Sequence, residues 1–258
     1  MIFNYKNTPV FFTDDGKGEI IVLLHGFLEN SSMWKDLAPE LAKYHRVVAI
    51  DLLGHGQTGC LGYIHTMELM AEVVEAVLHH LNIKKFTVIG HSMGGYVALA
   101  IAQNLPNHIQ GLCLLNSTAQ PDSDERRANR DRAIAAVKQN HRAFISMSVS
   151  NLFAPINREL LAKEIEYTKQ EALRTPVQGI VAALEGMKLR ADQTHFLKQA
   201  TFKKLLILGK NDPVLDYQVL RAHAKETGVN IVEFNDGHMS HIENKKELTH
   251  KLLQFIEK

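Results

Sequence analysis

The sequence predicts an α/β fold, a doubly wound and mostly parallel β-sheet interrupted by an all-helical insertion. Short and almost unbroken runs of Val, Ile and Leu recur along the chain, which is typical of strands buried on both faces of a parallel sheet. Helical patterns separate most of these runs, as they do when helices cover both faces of such a sheet. Residues 120–198 contain helical patterns alone and predict the insertion.

Strands and helices of the sheet are predicted in alternation. "VFFTDDG" at 10–16 predicts a first strand that enters a turn. Six further strands are predicted at 19–24, 46–50, 86–90, 111–116, 204–209 and 230–234, and helices at 34–44, 67–81, 96–104 and the C-terminus. In sheets of this kind ligands bind beyond the carboxyl ends of the strands. The residues that follow each strand are therefore the first candidates for a functional site.

Four helices are predicted in the insertion. Ser123 is the predicted N-cap of the first, because acidic residues follow it in the first turn. Apolar residues at helical spacing predict the second at 141–153, and the third is predicted to start at Asn157. The fourth is predicted to run from a Thr175 cap to a stop at Gly186.

We interpret the insertion as a cap or lid and not as a second independent domain, because it lies within the alternating pattern. No internal repeat or low-complexity linker appears in the chain. The predicted organisation is a first core segment at 1–119, a helical cap at 120–198, and a second core segment at 199–258 that carries the acid and the histidine of the predicted site.

Composition excludes several classes of partner. Lys and Arg number 29 against 28 Asp and Glu, so no charge bias predicts nucleic acid or an anionic membrane. No apolar run approaches the ~18 residues that span a bilayer, and no signal-peptide pattern appears. Cys60 and Cys113 are predicted to be unpaired thiols in a reducing cytosol, and a cytoplasmic location is expected. No spaced Cys and His set predicts a metal site. The oligomeric state is not predicted.

A serine between glycines, "GHSMGG" at 90–95, follows one predicted strand and precedes a helix. The pattern G-x-S-x-G in this context is typical of a nucleophile held at a sharp turn, where larger neighbours would collide with the strand or the helix. Ser92 is therefore the predicted nucleophile. The alternative interpretation is an ordinary glycine-rich turn.

A serine nucleophile needs hydrogen-bond donors that stabilise the oxyanion. "HGF" at 25–27 ends the strand at 19–24, which makes the backbone N–H of Phe27 one predicted donor. The backbone N–H of Met93, at the start of the next helix, is the second. Taken alone, "HGF" also fits a turn that ends a strand.

Two aspartates follow the strand at 204–209. Asp212, which precedes a proline that fixes the loop, is the predicted catalytic acid. Asp216 is predicted to be the N-cap of the next helix. Asp122 and Asp124 follow another strand and are predicted to start a cap helix.

Fourteen histidines are candidates for the base. His238 lies in the loop after the last strand and is the predicted base. His241 is the alternative, but it falls where a helix is predicted to begin, and a histidine in a helical turn more often packs or faces solvent. Seven others are predicted to lie at the surface: His79, His80, His108, His141, His195, His223 and His250.

The chain order Ser92, Asp212, His238 is that of the α/β-hydrolase triad. Five segments resemble recurring motifs of that superfamily in their usual order: "VLLHGF", "AIDLLGHGQT", "VIGHSMGG", "LLILGKNDPV" and "DGHMSHIEN". The whole chain resembles the serine-nucleophile, esterase-like branch with a helical cap. The resemblance implies that Ser92 is the nucleophile, His238 the base and Asp212 the acid, with Phe27 and Met93 as oxyanion donors. "DLLGHGQT" is assigned no chemistry and is predicted to be a structural turn.

The reaction class follows from the nucleophile. Haloalkane dehalogenases and epoxide hydrolases resemble this chain but use an aspartate, and the "HGGPG" and "HGGG" patterns of other branches are absent. Hydrolysis of a carboxylic ester or thioester is predicted, with no cofactor. Few Arg or Lys lie in the strand-end loops, so a small-to-medium and largely apolar ester is the predicted partner. Four cap residues are predicted to form pocket walls, with core packing as the alternative: Phe144, Met147, Phe153 and Met187.

Other functions of the same fold stay open at this point. The triad also fits a cofactor-independent haloperoxidase or perhydrolase, and a hydrolase of a carbon–carbon bond beside a carbonyl. A small-molecule receptor with slow or vestigial hydrolysis is the third alternative. Peroxide-dependent bromination would indicate the first, and tight binding with negligible turnover would indicate the receptor.

Overall fold

The computed structural model describes residues 1–257, which contain eight β-strands and eleven α-helices. The strands are β1 Ile2–Tyr5, β2 Thr8–Gly16, β3 Ile20–Leu24, β4 Arg46–Ile50, β5 Phe86–His91, β6 Ile109–Leu115, β7 Lys203–Gly209 and β8 Asn230–Phe234. The helices are α1 Ala38–Ala42, α2 Met67–His80, α3 Met93–Asn104, α4 Asp124–Gln139, α5 His141–Ser150, α6 Ala162–Ala172, α7 Val177–Lys188, α8 Thr194–Gln199, α9 Tyr217–Thr227, α10 Ser240–Glu243 and α11 Lys245–Glu257. Short 3-10 segments lie at Ser31–Trp34, Pro106–His108 and Pro155–Asn157.

The eight strands form one sheet in the order β1-β2-β4-β3-β5-β6-β7-β8. β2 is antiparallel to both of its neighbours, and every pairing from β4 to β8 is parallel. The predicted fold class, with a mostly parallel sheet between helices, is confirmed. The sequence does not predict β1, because its residues alternate between exposed and half-buried positions and form no apolar run.

Alternate residues of the buried strands pack on opposite faces of the sheet. In β3, Val22 and Leu24 contact the cluster that includes α2 and α3, whereas Ile21 and Leu23 contact the cluster that includes α1 and α11. Burial of each such side chain contributes about 1.5–3 kcal/mol. Two covered faces explain why the strand sequences are apolar at every position and not at every second one.

Parallel neighbours place their following loops at one edge of the sheet. β3, β5, β6, β7 and β8 are adjacent in that order and run in the same direction. The loops after these five strands therefore lie side by side. All the residues predicted for the catalytic site are in or next to these loops.

Between β6 and β7 the described chain forms five α-helices and a 3-10 segment, with no strand. The predicted absence of strands in 120–198 holds, but the sequence predicts four helices and α8 is a fifth, which runs one residue beyond that range. The helices α4, α5, α6 and α7 pack pairwise against one another. The division into core and cap segments stays a prediction, and α4 to α8 are the helices that would form the cap.

Two predicted helix ends in this region are wrong. The last of the four predicted helices, α7, begins at Val177 without a side-chain cap from Thr175, and it passes through Gly186 to Lys188. A Cβ on Gly186 would collide with the carbonyl of His65, so this glycine permits close packing and does not end the helix. Similarly, α6 begins at Ala162 and not at Asn157.

Other predicted helix ends are confirmed or need only small changes. Ser123 caps α4 by accepting from the Arg126 amide, and Asp216 caps α9 in the same way. The helix predicted at 34–44 is reduced to a 3-10 turn and the short α1, which begins beside Pro39, a residue without an N–H. None of the helices in residues 1–257 is long and apolar enough to cross a membrane.

Candidate active site

Ser92 occupies the sharp turn between β5 and α3. Its backbone angles are φ 49° and ψ −114°, a region that non-glycine residues rarely adopt. The Ser92 amide donates to the Leu115 carbonyl at 3.0 Å, and the Ser92 carbonyl accepts from Ser117 Oγ at 2.7 Å. Both bonds come from β6 and the residues after it. The neighbouring strand therefore holds the serine in its strained conformation.

The glycines around Ser92 are required by close backbone contacts. A Cβ on Gly90 would collide with the carbonyl of Gly94, and a Cβ on Gly94 would collide with the carbonyls of Leu24 and His25. On Gly95 it would meet the Ser117 side chain. The turn thus lies against both neighbouring strands, β3 and β6, and the expected reason for the glycines holds in the structure.

Three side chains predicted from the sequence meet at this turn. His238 Nε2 lies 2.9 Å from Ser92 Oγ, and His238 Nδ1 lies 2.7 Å from Asp212 Oδ2. The side chains of His238 and Asp212 are each 2% exposed. The His241 side chain faces Glu29 and not Ser92, with its Nε2 3.9 Å from Glu29 Oε1. Of the two histidines considered, only His238 is hydrogen-bonded to Ser92.

Asp212 is held as a carboxylate. Its Oδ1 accepts from the amides of Val214 and Leu215 at 2.8 and 3.0 Å. Burial alone would raise the pKa of Asp212, but His238 and these amides lower it below the usual value. An ionised Asp212 accepts from His238 Nδ1–H, which leaves the Nε2 lone pair directed at Ser92 Oγ.

Asn116, which the sequence analysis did not assign to the site, joins two of its loops. Its Nδ2 donates to Asp212 Oδ2 at 3.3 Å and to the Gly237 carbonyl at 3.2 Å. It directly follows β6, which lies between the strands that carry Ser92 and Asp212. Its place at the end of a buried strand is the signal that could have identified it.

The loop after β3 directs the Phe27 amide. Burial lowers the pKa of His25, so the ring is neutral; its Nε2 accepts from the Leu52 amide, and Nδ1–H donates to the Gly26 carbonyl at 2.8 Å. The Gly26 carbonyl and the Phe27 N–H belong to one planar peptide and point in opposite directions. Anchoring the carbonyl therefore fixes the direction of the N–H. Within residues 1–257, neither the Phe27 nor the Met93 amide donates to any protein oxygen.

A buried pair, Glu29 and His91, lies behind these loops. His91 Nδ1 donates to Glu29 Oε2 at 2.7 Å, and His91 Nε2 donates to the His238 carbonyl at 2.9 Å. The Gly26 amide donates to the same Glu29 oxygen at 2.7 Å. Burial opposes both charges, but mutual attraction raises the pKa of His91 and lowers that of Glu29 to about 2. The pair is therefore an imidazolium and a carboxylate.

Glu29, His91 and His241 are close enough to resemble a metal site, with ligand atoms within 4.8 Å of one another. Both ring nitrogens of His91 donate hydrogen bonds, so His91 has no lone pair for a metal ion in this arrangement. Burial also lowers the pKa of His241 to about 3, so this ring is neutral. Glu29 and His91 form a hydrogen-bonded support of the loops.

A cavity of about 100 Å³ lies over Ser92 and His238. Met187 is one of its walls, as predicted, but the other three predicted wall residues do not line it. Phe144 and Phe153 are buried in the core, and Met147 is 60% exposed. Apolar walls come from Phe27, Leu28, Tyr96, Leu152, Met187 and Val214, and two arginines of α4, Arg126 and Arg130, lie among them. Larger cavities occur elsewhere and do not contain Ser92.

Two further sequence predictions need correction. His223, predicted at the surface, is buried on α9, and its Nε2 lies 3.0 Å from Thr194 Oγ1. Asp122, predicted to start a cap helix, precedes α4 and is buried. Arg130 and Arg190 donate to its carboxylate. Its role is to pair with arginines and not to cap the helix.

Comparison with known proteins supports the same fold. The family model for the alpha/beta hydrolase fold matches residues 19–245. The chain is 27% identical over 245 residues to a dihydrolipoyllysine-residue acetyltransferase component of the acetoin cleaving system of Pseudomonas putida; the match covers 93% of this chain but only 64% of that protein. It is 23% identical to an (E)-2-((N-methylformamido)methylene)succinate hydrolase of Acinetobacter baylyi, over 98% of this chain and 95% of the relative.

A thermophilic esterase from Thermogutta terrifontis has a similar structure. The TM-score is 0.91 at 29% sequence identity, covering 97% of this chain and 93% of the esterase. The family match extends over most of the chain, from β3 to the start of α11, and includes every loop described above. The chain therefore belongs to the alpha/beta hydrolase fold family, and its relatives support its assignment as a hydrolytic enzyme.

Proposed function

We propose that the protein is a serine hydrolase that cleaves a small-to-medium carboxylic ester, or a thioester, through an acyl-serine intermediate. The observation that carries the proposal is the pair of hydrogen bonds made by His238, at 2.9 Å to Ser92 Oγ and at 2.7 Å to Asp212 Oδ2. A nucleophile, a base and an orienting carboxylate in hydrogen-bond reach are the elements of nucleophilic catalysis at a carbonyl.

Acylation begins at Ser92. His238 Nε2 accepts the hydroxyl proton while Oγ attacks the ester carbonyl, and Asp212 stabilises the imidazolium that forms. The carbonyl oxygen becomes an oxyanion that accepts hydrogen bonds from the free amides of Phe27 and Met93. Each such donor typically contributes about 2.7–4 kcal/mol to lowering the barrier. When the intermediate collapses, the carbon–oxygen bond to the alcohol breaks and His238 gives the proton to the departing oxygen.

Deacylation repeats these steps with water. Water gives a proton to His238 Nε2 and attacks the acyl carbon, and the oxyanion again faces the Phe27 and Met93 amides. The bond to Ser92 Oγ then breaks, Oγ recovers the proton, and the carboxylic acid is released. No redox change or cofactor enters this sequence.

The cavity favours a small substrate. Its volume of about 100 Å³ is well below the ~300–1,000 Å³ of sites for drug-sized ligands. Phe27, Leu28 and Leu152 provide apolar walls near Ser92. A short acyl chain fits this space, and the similar esterase and the succinate hydrolase support hydrolysis as the reaction class.

The direct test is hydrolysis of p-nitrophenyl esters from acetate to octanoate, with acetyl and butyryl thioesters beside them. We expect the highest kcat/KM on short chains, and a loss on the order of 10³-fold or more in Ser92→Ala and His238→Ala. Ser146→Ala, an exposed serine on α5, is the matched control and keeps wild-type activity. Tight ligand binding without turnover would instead support the receptor, and peroxide-dependent bromination with acetate would support a perhydrolase.

A further inference from the structure

Two arginines of the predicted cap face the cavity over Ser92. Arg126 and Arg130 are four residues apart on α4 and therefore lie on one face of the helix. Both line the cavity that contains Ser92 and His238. The sequence-based expectation of a largely apolar ester considers only the strand-end loops, and these two residues lie outside them.

The positive charge of these arginines is only partly balanced. Arg130 and Arg190 donate hydrogen bonds to the Asp122 carboxylate, and Asp122 Oδ1 lies 3.4 Å from Arg126 Nε. Among residues 1–257 these three arginines form ion pairs with no carboxylate other than Asp122. Three guanidinium groups and one carboxylate leave two positive charges in excess. An anionic ligand in the cavity would complete this balance.

The arginines are also held in place. Arg126 Nη1 donates to the Val214 carbonyl at 2.8 Å, which fixes the guanidinium against the loop that carries Asp212. The Arg130 side chain, 14% exposed, is oriented by its two hydrogen bonds to Asp122. Arg190 lies 4.1 Å from the centre of the Tyr96 ring, another wall of the cavity. Preorganised groups of this kind bind a ligand with little loss of side-chain entropy.

Each cavity arginine keeps donor capacity. Within residues 1–257, neither Arg126 Nη2 nor Arg130 Nη1 donates to a protein acceptor. Neither atom is sealed from solvent, because neither is among the buried atoms without a partner. The guanidinium plane matches the two oxygens of a carboxylate, and such charge-assisted bonds are about twice as strong as neutral ones.

We propose that Arg126 and Arg130 form a binding site for a carboxylate, so that the ester substrate carries a free carboxylate in addition to the bond that is cleaved. The inference rests on the proposed serine hydrolase function and specifies its substrate class. The apolar walls hold the short chain beside Ser92, while the arginines hold its anionic end. Fixing both ends orients the ester carbonyl for attack.

Matched pairs of small esters test this inference. Monomethyl succinate and monomethyl glutarate carry the carboxylate on the acyl side, and the methyl esters of succinamic and glutaramic acid are their neutral counterparts. Acetoxyacetate and acetoxyacetamide form the pair with the carboxylate on the alcohol side. Acid release is followed in a pH-stat. We expect kcat/KM in at least one pair to favour the carboxylate by about 10-fold or more.

The variants separate Arg126 from a general charge effect. In Arg126→Met we expect the preference for the carboxylate ester to fall by about 10- to 100-fold, mainly through KM. Arg126→Lys keeps the positive charge without the planar guanidinium, and its preference for the carboxylate ester is expected to lie between those of the wild type and Arg126→Met. Arg127→Met is the matched control, because Arg127 is the next residue on α4, half exposed and paired with Asp124 outside the cavity. It is expected to keep the wild-type preference.

Failure of the inference is distinguishable from failure of the proposed function. A wild-type enzyme that reacts with a fluorophosphonate at Ser92 but shows no preference for any carboxylate ester overturns the inference alone. Absence of that reaction in folded protein overturns the proposed function itself. If Arg126→Met does not fold, the salt dependence of the wild-type preference for the carboxylate ester is the test. We expect this preference to decrease between about 10 mM and about 500 mM salt, because salt screens the attraction to the arginines. A preference that does not depend on salt would contradict the inference.

Discussion

Glu29 and His91, 62 residues apart in the chain, form a buried ion pair in which Nδ1 lies 2.7 Å from Oε2. Their side chains are 3% and 1% exposed. Through the Gly26 amide and the His238 carbonyl, this pair connects the loop after β3, the strand before Ser92 and the loop that carries His238. The relative positions of the predicted oxyanion donor and the predicted base thus depend on two residues outside the triad.

The pair predicts a specific dependence of stability on pH. Burial opposes the Glu29 charge, but His91 lowers the Glu29 pKa from 4.5 to about 2. This contribution is therefore complete above pH 4.5 and is lost as pH falls toward 2. The His91 pKa is raised above 6.5, so its contribution is complete below pH 6.5 and is lost as pH rises through the folded-state value. The pair stabilises the fold most between pH 4.5 and 6.5.

Glu29→Gln tests this dependence. At pH 5.5 we expect its free energy of unfolding in urea to be about 2–4 kcal/mol below that of the wild type. The difference should shrink at pH 3, where the wild type loses most of the Glu29 contribution. Glu19→Gln, an exposed residue before β3, is the control and should change little. An equal difference at both pH values would contradict the assigned charges.

We expect a substitution at Asn116 to change turnover, although its hydrogen bonds are to Asp212 and Gly237 and not to Ser92. In Asn116→Asp, a second carboxylate would lie beside Asp212 Oδ2, and the like charge would raise the Asp212 pKa. We expect kcat to fall about 10- to 100-fold, with little change in KM. Asn211→Asp places a carboxylate on an exposed neighbour in the same loop and serves as the control. Steady-state kinetics on p-nitrophenyl butyrate provide both constants, and equal losses in the two variants would argue against the bridging role.

The contacts of Glu243 lead us to expect coupling between the predicted cap and the loop that carries His238. One carboxylate oxygen accepts from the amides of Gly237 and Met239, and the other accepts from the Ala154 amide and the Asn157 side chain. In Glu243→Gln one oxygen becomes an NH₂ group that faces donors. We expect a loss of about 1–3 kcal/mol in unfolding free energy.

The Glu243→Gln variant should also lower kcat, because the His238 amide donates to the Leu152 carbonyl in the same region. Urea unfolding and steady-state kinetics measure the two effects. Glu247→Gln, an exposed residue on α11, is the matched control. If the variant is destabilised but its kcat is unchanged, the loops are coupled in stability and not in catalysis.

We expect activity to be sensitive to a single methyl group at Gly90, in the turn that holds Ser92. In Gly90→Ala the new Cβ would collide with the Gly94 carbonyl, and the backbone around Ser92 must shift. A displacement of about 1 Å at a reacting group can lower the rate about 100-fold, and we expect a loss of that size. In Gly62→Ala the new Cβ meets no atom within 4 Å, although the φ of 79° strains the backbone there, so stability should fall somewhat but activity should be kept. Circular dichroism separates a displaced nucleophile from a failure to fold.

The sequence predicts those parts of the structure that depend on local pattern. Almost unbroken apolar runs identify β3 to β7, because a strand covered on both faces needs apolar residues nearly throughout. β8 is identified by Ile231 and Val232, although it is less buried. Ser92 is identified by neighbours that the turn itself requires. Gly186 shows the limit of local patterns. It fits a helix stop locally, but it is required by the close approach of the His65 carbonyl, in the loop before α2.

Residues that act through distant partners are beyond such patterns. Glu29 acquires its role from His91, and Asn116 from Asp212, which is 96 residues away. Arg126 lies on a polar helix whose sequence resembles that of a solvated surface, and only its tertiary contact with Val214 shows that it lines the cavity. Glu29, Asn116 and Arg126 are among the residues that no local sequence pattern assigns to the site.

Covalent labelling with a fluorophosphonate, followed by intact mass measurement and peptide mapping, tests whether Ser92 is an activated nucleophile. We expect one adduct per chain, located on Ser92. The adduct should be absent in Ser92→Ala, form far more slowly in His238→Ala, and persist in His241→Ala, since His241 faces Glu29 and not Ser92. No adduct on the folded wild-type protein, or an adduct that forms as fast in His238→Ala, would contradict this role of Ser92.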